Sequence, residues 1–398
     1  MVGSFDTPYA GTFNVGGHTL TVNYEEKRET YVAPFRATAG CTIKNLTVEG
    51  HITDCAFTGS ITQAKNISNP TRTCGGLVGW ANSNVNITNC LVTATFDISD
   101  ENSNTFGGSN RNKITVENSY FLNALGEVPS GATQIKSKTL ESGEALTLLG
   151  NGWAQTLGTD NMPEPYNENK KTTPNYVYND GTDWVCDDFL LKDKEEVNIG
   201  IDFTAKALSY DRNFTINDGY YTVYAPFATP TTNGKLYACT GINVDKSQVE
   251  FTEVATPEPN TAYLFKPATT KLNLGNDVAV KKTTNLESQT SYMRGVYNSF
   301  IFDEENKAGC YDYKTGAFVK IESGATLPAG RAYIYAPEAS EAGVNQLILV
   351  IDGVVTGISI PVADSTEAAT TYYNLSGQRV NSSYKGIVIN NGKKVIRK

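Results

Sequence analysis

The chain has 398 residues, 39% hydrophobic and 19% charged, a balance that marks it as globular and predicts two or three domains rather than one core. Its net charge of −9 disfavours nucleic acid as a partner, because phosphate backbones are held by basic patches. No apolar run approaches the roughly 18 residues of a transmembrane segment, and two histidines with seven dispersed cysteines, none in a CxxC pair, point to no metal site and no cofactor.

Residues 1–135 carry a repeated template, aliphatic-x-Asn/Asp-x-x-apolar-x-small-x-apolar. It is matched from Ile43, Ile52, Ile87 and Val116, which places Asn45, Asp54, Asn89 and Asn118 at equivalent corners. In a stack of coils the apolar positions point inward and the small residue permits a bend. A side-chain amide at one corner can hydrogen-bond its counterpart in the next coil. The matches start 9, 35 and 29 residues apart. Nine residues are too few for a full coil, which leaves the Ile52 match as a compressed coil or a coincidence. Two glycine-rich stretches, Gly75-Gly76-Leu77-Val78-Gly79 and Phe106-Gly107-Gly108, precede the last two matches.

Cys74-Gly-Gly-Leu-Val-Gly-Trp80 followed by Val85-Asn-Ile-Thr-Asn-Cys90 resembles the GLUG motif of bacterial surface proteins, and Gly11 to Leu20 is similar to the coil that opens it. Trp153 to Asp160 resembles the segment that closes it. The resemblance covers roughly residues 1–165. It implies a short right-handed parallel β-helix in a secreted or surface-anchored protein, often an adhesin.

Residues 136–175 read as a short helix and a proline-rich linker. Ser142 is placed to cap a helix running to Leu149 and stopped by Gly150. Asn161 to Asn175 is polar and holds Pro163, Pro165 and Pro174. Residues 176–360 alternate short apolar runs with turns, the pattern of a β-sandwich. The predicted strands include Tyr220 to Tyr224, Lys235 to Ala238, Ala262 to Phe265, Ala332 to Tyr335 and Gln346 to Ile351. Two tyrosine pairs at i, i+2, Tyr311/Tyr313 and Tyr333/Tyr335, each put two rings on one strand face. They are the candidate glycan-binding residues, with core packing as the competing explanation. Asn179, Asp180, Asp183, Asp187 and Asp188 offer oxygen ligands, but their spacing fits a solvated turn better than a calcium loop.

Residues 361–398 form the tail. From Ala368 onward it has no acid and six basic residues. Asn391-Gly392 predicts one hairpin and Ser376-Gly377 another. Thr371-Tyr-Tyr-Asn-Leu-Ser-Gly-Gln-Arg-Val380 and Lys385 to Lys398 resemble the C-terminal sorting domain of type IX secretion substrates. The residues that carry this are Tyr373, Asn374, Leu375, Ser376, Gly377, Gly386, Gly392 and Lys393. The resemblance implies a partner in the secretion machinery and a destination outside the cell or on the outer-membrane surface of a Gram-negative bacterium. Met1-Val-Gly-Ser-Phe-Asp has neither the basic start nor the apolar stretch of a signal peptide, so an export tail implies a reading frame that continues upstream.

The resulting expectation is an all-β chain: parallel β-helix, β-sandwich-like domain and small C-terminal hairpin segment. It is a non-catalytic surface protein that binds a neutral glycan or a surface protein. Two rivals remain: a β-helix lyase or glycoside hydrolase, and a structural spacer. An enzyme needs clustered carboxylates, whereas Asp54, Asp97, Asp100, Glu101 and Glu117 are scattered along the repeats and yield no catalytic residue. A cleft lined by three acids would favour the enzyme.

Overall fold

The computed structural model describes residues 12–14, 20–26, 31–32, 42–44, 51–63, 73–81, 84–97, 103–109, 113–216, 219–356, 372–374, 378–380, 385–390 and 393–397. The chain is all-β, with 44% of residues in strands and 9% in helices. Met1–Gly357 forms one compact unit and Ile358–Lys398 a second.

The first part of the larger unit is a stack of parallel strands on three faces. One face holds His51–Thr53, Val85–Thr88 and Ile114–Glu117. The next holds Ala56–Gln63, then Leu91–Val92 with Thr95–Asp97, then Ser119–Phe121 and Ala132–Gln134. The third pairs Val78–Trp80 with Gly107–Ser109. Template positions lie in register: Ile52, Ile87 and Val116 are neighbours, as are Phe57, Val92 and Phe121. All six are buried in one cluster, each contributing about 1.5–3 kcal/mol through area removed from water. The match starting at Ile52 is therefore a full member of the stack. The one starting at Ile43 is not in that ladder, since Thr42–Lys44 pairs with Thr12–Asn14. Asn45 lies outside the described residues.

The paired glycines before the second coil have a steric cause. A Cβ on Gly75 would stand 2.1 Å from Val78 O, and one on Gly76 2.3 Å from Thr105 O. Only a hydrogen fits where one coil's backbone crosses another.

Two short helices, α1 (Ser137–Glu141) and α2 (Glu144–Leu149), cover the end of the stack and bury Leu140, Leu146 and Leu149. Ser142 Oγ accepts from Glu144 N at 3.3 Å as the sequence suggested, although the turn itself is made by Gly143 at φ +81°. Gly150 at φ +85° ends α2.

The expected linker is a correction. Trp153–Thr156 pairs antiparallel with both Glu164–Pro165 and Tyr176–Asn179, so 136–175 runs directly into a seven-stranded sheet. Pro165 ends a strand there, Pro163 directly precedes it, and Pro174 lies in the turn before Tyr176–Asn179. The coil interior keeps a core of its own, from Ile52 to Leu125, while a second core cluster takes in Ala56 and Leu91 with Leu146 and Trp153 and runs to Leu349 and Ile351.

The seven-stranded sheet continues through Trp184–Cys186, Phe203–Tyr210 and Phe189–Leu191, with Asn276–Val280 also pairing on Phe203–Tyr210. A ten-stranded sheet shares its core, so the all-β expectation holds, with a curled half-barrel and a near-closed barrel where a sandwich was expected. Its order begins Tyr221–Val223, Tyr263–Pro267, Gly234–Asn243, Gln248–Val254. It goes on through Gln346–Ile351, Ala317–Lys320 and Cys310–Lys314 to Arg331–Tyr335 and Met293–Val296, with Val354–Val355 on Gln346–Ile351. The first strand, Tyr221–Val223, comes round to the last strand but one, where Ala332 N donates to Thr222 Oγ1 at 3.1 Å.

Beside that seam sits a charged clamp. Arg331 donates to both Asp193 carboxylate oxygens at 2.8 and 3.0 Å, and Arg212 Nε lies 3.9 Å from Asp193. Arg212 also donates to Thr222 O at 3.0 Å and stacks on the Phe214 ring. Burial pulls its guanidinium down to about 10.

In the smaller unit, Tyr372–Tyr373, Arg379–Val380, Gly386–Asn390 and Lys393–Arg397 form one antiparallel sheet. Asn374 N donates to Gln378 O at 2.9 Å and Asn374 Oδ1 accepts from Gln378 N at 3.0 Å, closing the first hairpin around residues 375–377. Gly386 pairs with Arg397 and Asn390 with Lys393, the second hairpin. Leu375, Ser376, Gly377 and Gly392 lie outside the described residues.

Candidate functional site

The corner residues form a ladder. Asp54, Asn89 and Asn118 take φ of +55°, +53° and +42°, the left-handed conformation that Asn and Asp tolerate best. Asn118 Nδ2 donates to Asn89 Oδ1 at 2.6 Å and to Leu148 O in α2 at 3.3 Å, while Tyr120 OH donates to Asn118 Oδ1 at 2.8 Å. Asn89 in turn bonds Asp54. Burial pushes the Asp54 carboxyl above its usual range, against the opposing pull of Asn89 and the Trp153 indole. The indole N–H falls short of full hydrogen-bond geometry, so its effect on Asp54 is electrostatic. The three corner side chains are thus bonded one to the next, Asn118 to Asn89 to Asp54.

The four tyrosines do not make one platform. Tyr311 is opposite Ile334 and Cys310 opposite Tyr335, which puts Tyr311 and Tyr313 on one face of the sheet and Tyr333 and Tyr335 on the other. Tyr311 is fully buried, its hydroxyl donating to Val344 O at 2.8 Å. Tyr333 is buried against Phe300 and Phe302. Tyr313 packs edge-on to Phe318, and the Arg294 guanidinium covers the Tyr335 ring at 3.8 Å. Packing buries Tyr311 and Tyr333, while Tyr313 and Tyr335 stay half-buried on opposite faces. The acidic turn is equally local: Asp180 Oδ1 accepts from Thr182 N and Asp183 N, which lowers its carboxyl, and Asp187 is held by Lys206 at 2.8 Å.

A concave feature with charged residues on its rim lies elsewhere. A cleft of about 380 Å³ opens where the end of α1, the turn after Trp153–Thr156 and the segment 189–199 meet. Its floor is apolar: Leu157, Phe189, Leu191, Val197 and Ile199 are all buried. Segment 196–199 alternates, so Val197 and Ile199 point in while Glu196 and Asn198 point out. Val197 N donates to Tyr297 O at 2.9 Å and Ile199 N to Thr283 Oγ1 at 3.2 Å, which fixes that alternation.

Four carboxylates line the cleft: Glu141, Asp160, Glu195 and Glu196. Two are committed, Asp160 accepting from Thr156 N at 2.7 Å and Glu195 pairing with Lys192 at 3.3 Å. Glu141 and Glu196, with the side chains of Thr159, Asn161 and Asn198, have no hydrogen-bond or ion-pair partner among the described residues. A cleft with an apolar floor and an unsatisfied polar rim can hold a small polar molecule with an apolar face. Sequence reasoning missed it because its wall joins two separated stretches, residues 141–175 and 189–199, that share no motif. The alternation from Glu196 to Ile201 was the available signal.

No protein-family model, curated protein or solved structure matches the chain.

Proposed function

We propose that the chain is a surface-displayed, non-catalytic protein of a Gram-negative bacterium that binds a neutral glycan in the cleft floored by Phe189 and Ile199. The observation that carries this reading is the cleft's composition. A sugar ring presents an apolar face to such a floor and hydroxyls to free carboxylate, amide and hydroxyl groups on the rim. Four acids against one lysine disfavour uronic and sulfated glycans by repulsion. The display half of the reading is supported by the resemblance of residues 11–90 to GLUG-motif surface proteins and of the tail to sorting domains.

A specific observation favours a second reading, a carbohydrate-active enzyme: the cleft holds the cluster of acids that the repeats lack. Glu141 and Glu196 are its uncommitted pair, and they would serve as acid and base. One experiment separates the readings. Purified chain is presented with neutral and uronic oligosaccharides, and binding is measured by calorimetry alongside release of reducing ends. Binding of neutral oligosaccharide without release, lost in Glu196→Gln, supports the first reading. Release makes the protein an enzyme, and silence in both assays leaves a spacer. Deleting residues 370–398 is expected to leave the protein folded and trapped in the periplasm, read by fractionation with surface labelling; unchanged surface exposure overturns the sorting role.

A further inference from the structure

Cys55 and Cys90 directly follow the ladder corners Asp54 and Asn89. Because Ala56 pairs with Leu91, the two cysteines are counterparts in consecutive coils. Leu91 N donates to Cys55 O at 2.7 Å, which locks the two backbones side by side. Both side chains point into the coil interior, 1% and 0% exposed. Cys55 Sγ lies 3.2 Å from Thr53 O and Cys90 Sγ 3.3 Å from the equivalent Thr88 O, and Cys90 Sγ also lies 3.5 Å from Ile52 O of the earlier coil. In the third coil Ser119 takes the equivalent place, its hydroxyl accepting from Cys90 N at 3.1 Å and donating to Glu117 O at 2.8 Å. Neighbouring strands lie about 4.8 Å apart, inside the Cα window of a disulfide.

We infer that Cys55 and Cys90 are a disulfide site that closes as the chain folds in an oxidising environment, stapling one coil to the next. The exchange partner is a small-molecule disulfide such as oxidised glutathione. One cysteine thiolate attacks it, forming a mixed disulfide and releasing one glutathione thiolate. The second cysteine thiolate then attacks the protein sulfur of that mixed disulfide and releases the other glutathione. Two protein thiols are oxidised to one disulfide, and the two protons they give up end on the two glutathione thiols formed by reduction of one glutathione disulfide. Burial pushes the Cys55 thiol well up once the coil is packed, so closure belongs to the folding chain. The finished bond is then shielded from reductant by the same burial.

The test uses the full chain, unfolded under reducing conditions and refolded with either a glutathione redox couple or reductant alone. Free thiols are then alkylated and the peptides mapped by mass spectrometry. The expected result is a Cys55–Cys90 linked peptide in the oxidised sample only, with an unfolding midpoint about 5 °C above the reduced protein. Cys55→Ser, which copies the Ser119 arrangement, is expected to fold to the same circular dichroism spectrum and to lose both the link and the shift. Recovery of Cys55 and Cys90 singly alkylated from folded, oxidised protein overturns the inference. So does a thermal shift that persists in full in Cys55→Ser. Should that variant not fold, the peptide map of the unsubstituted chain decides alone.

Discussion

The coil stack and the curled sheet solve the same problem, satisfying a buried backbone, by opposite routes. In the stack the repeated coils pair about 30 residues apart, as Ile87 does with Val116. Its polar corners are satisfied one rung at a time, Asn118 to Asn89 to Asp54. In the curled sheet Gln248 pairs with Ile348, and Arg331 reaches back to Asp193. Repetition spreads small polar contributions along the ladder, while long-range closure concentrates charge at one clamp. A change in the stack should therefore cost little and locally, and a change at the clamp should cost much.

The largest effect is expected at Asp193→Ala, which leaves Arg212 buried without its carboxylate. A loss of about 3–5 kcal/mol in denaturant unfolding is expected, against about 0.5 kcal/mol for Asp202→Ala, whose pair with Lys281 is half exposed. Equal, small losses would remove the clamp from the comparison. Next is Asn89→Ala, expected to cost about 1–3 kcal/mol because its ladder partners lose hydrogen bonds and the backbone keeps a positive φ. Asn89→Gly relieves the backbone and isolates the hydrogen-bond share; if Ala and Gly cost the same, strain is not part of the corner.

Tyr311→Phe comes third. It strands Val344 O and should cost about 1 kcal/mol without altering any glycan binding. A loss of binding with unchanged stability would return these rings to function. The smallest effect is the pH response of Asp54. Its folded carboxyl is raised above the unfolded value, so its stabilising contribution is complete below the unfolded pKa and is lost as pH rises through the folded one. At neutral pH the buried carboxylate is a net cost. Asp54→Asn should leave the midpoint equal or slightly higher at pH 7 and flatten its mildly acidic dependence in a thermal melt. A lower midpoint at pH 7 would show that the charge is needed.

What the sequence made legible follows the same division. The in-register triples at Ile52, Ile87 and Val116, and the corners at Asp54, Asn89 and Asn118, were readable because the period repeats. Strands such as Gln346–Ile351 were readable from alternation, and the hairpin after Ile351 from Asp352-Gly353, whose φ of +48° and +79° suit a tight turn. Which strands become neighbours was not readable. Spacing put Tyr311 and Tyr313 on one face but could not say that this face looks into the core. The cleft escaped for a related reason: Glu141, Asp160 and Glu196 are brought together by packing, not by any motif.

The place of Gln346–Ile351 between Gln248–Val254 and Ala317–Lys320 has a consequence in time. A chain delivered amino end first exposes one bare margin of Gln248–Val254 until about a hundred further residues have arrived. Throughout that interval the margin is a template for any stray strand. Delivery halted before residue 346 would thus yield a sticky open trough rather than a smaller version of the finished protein.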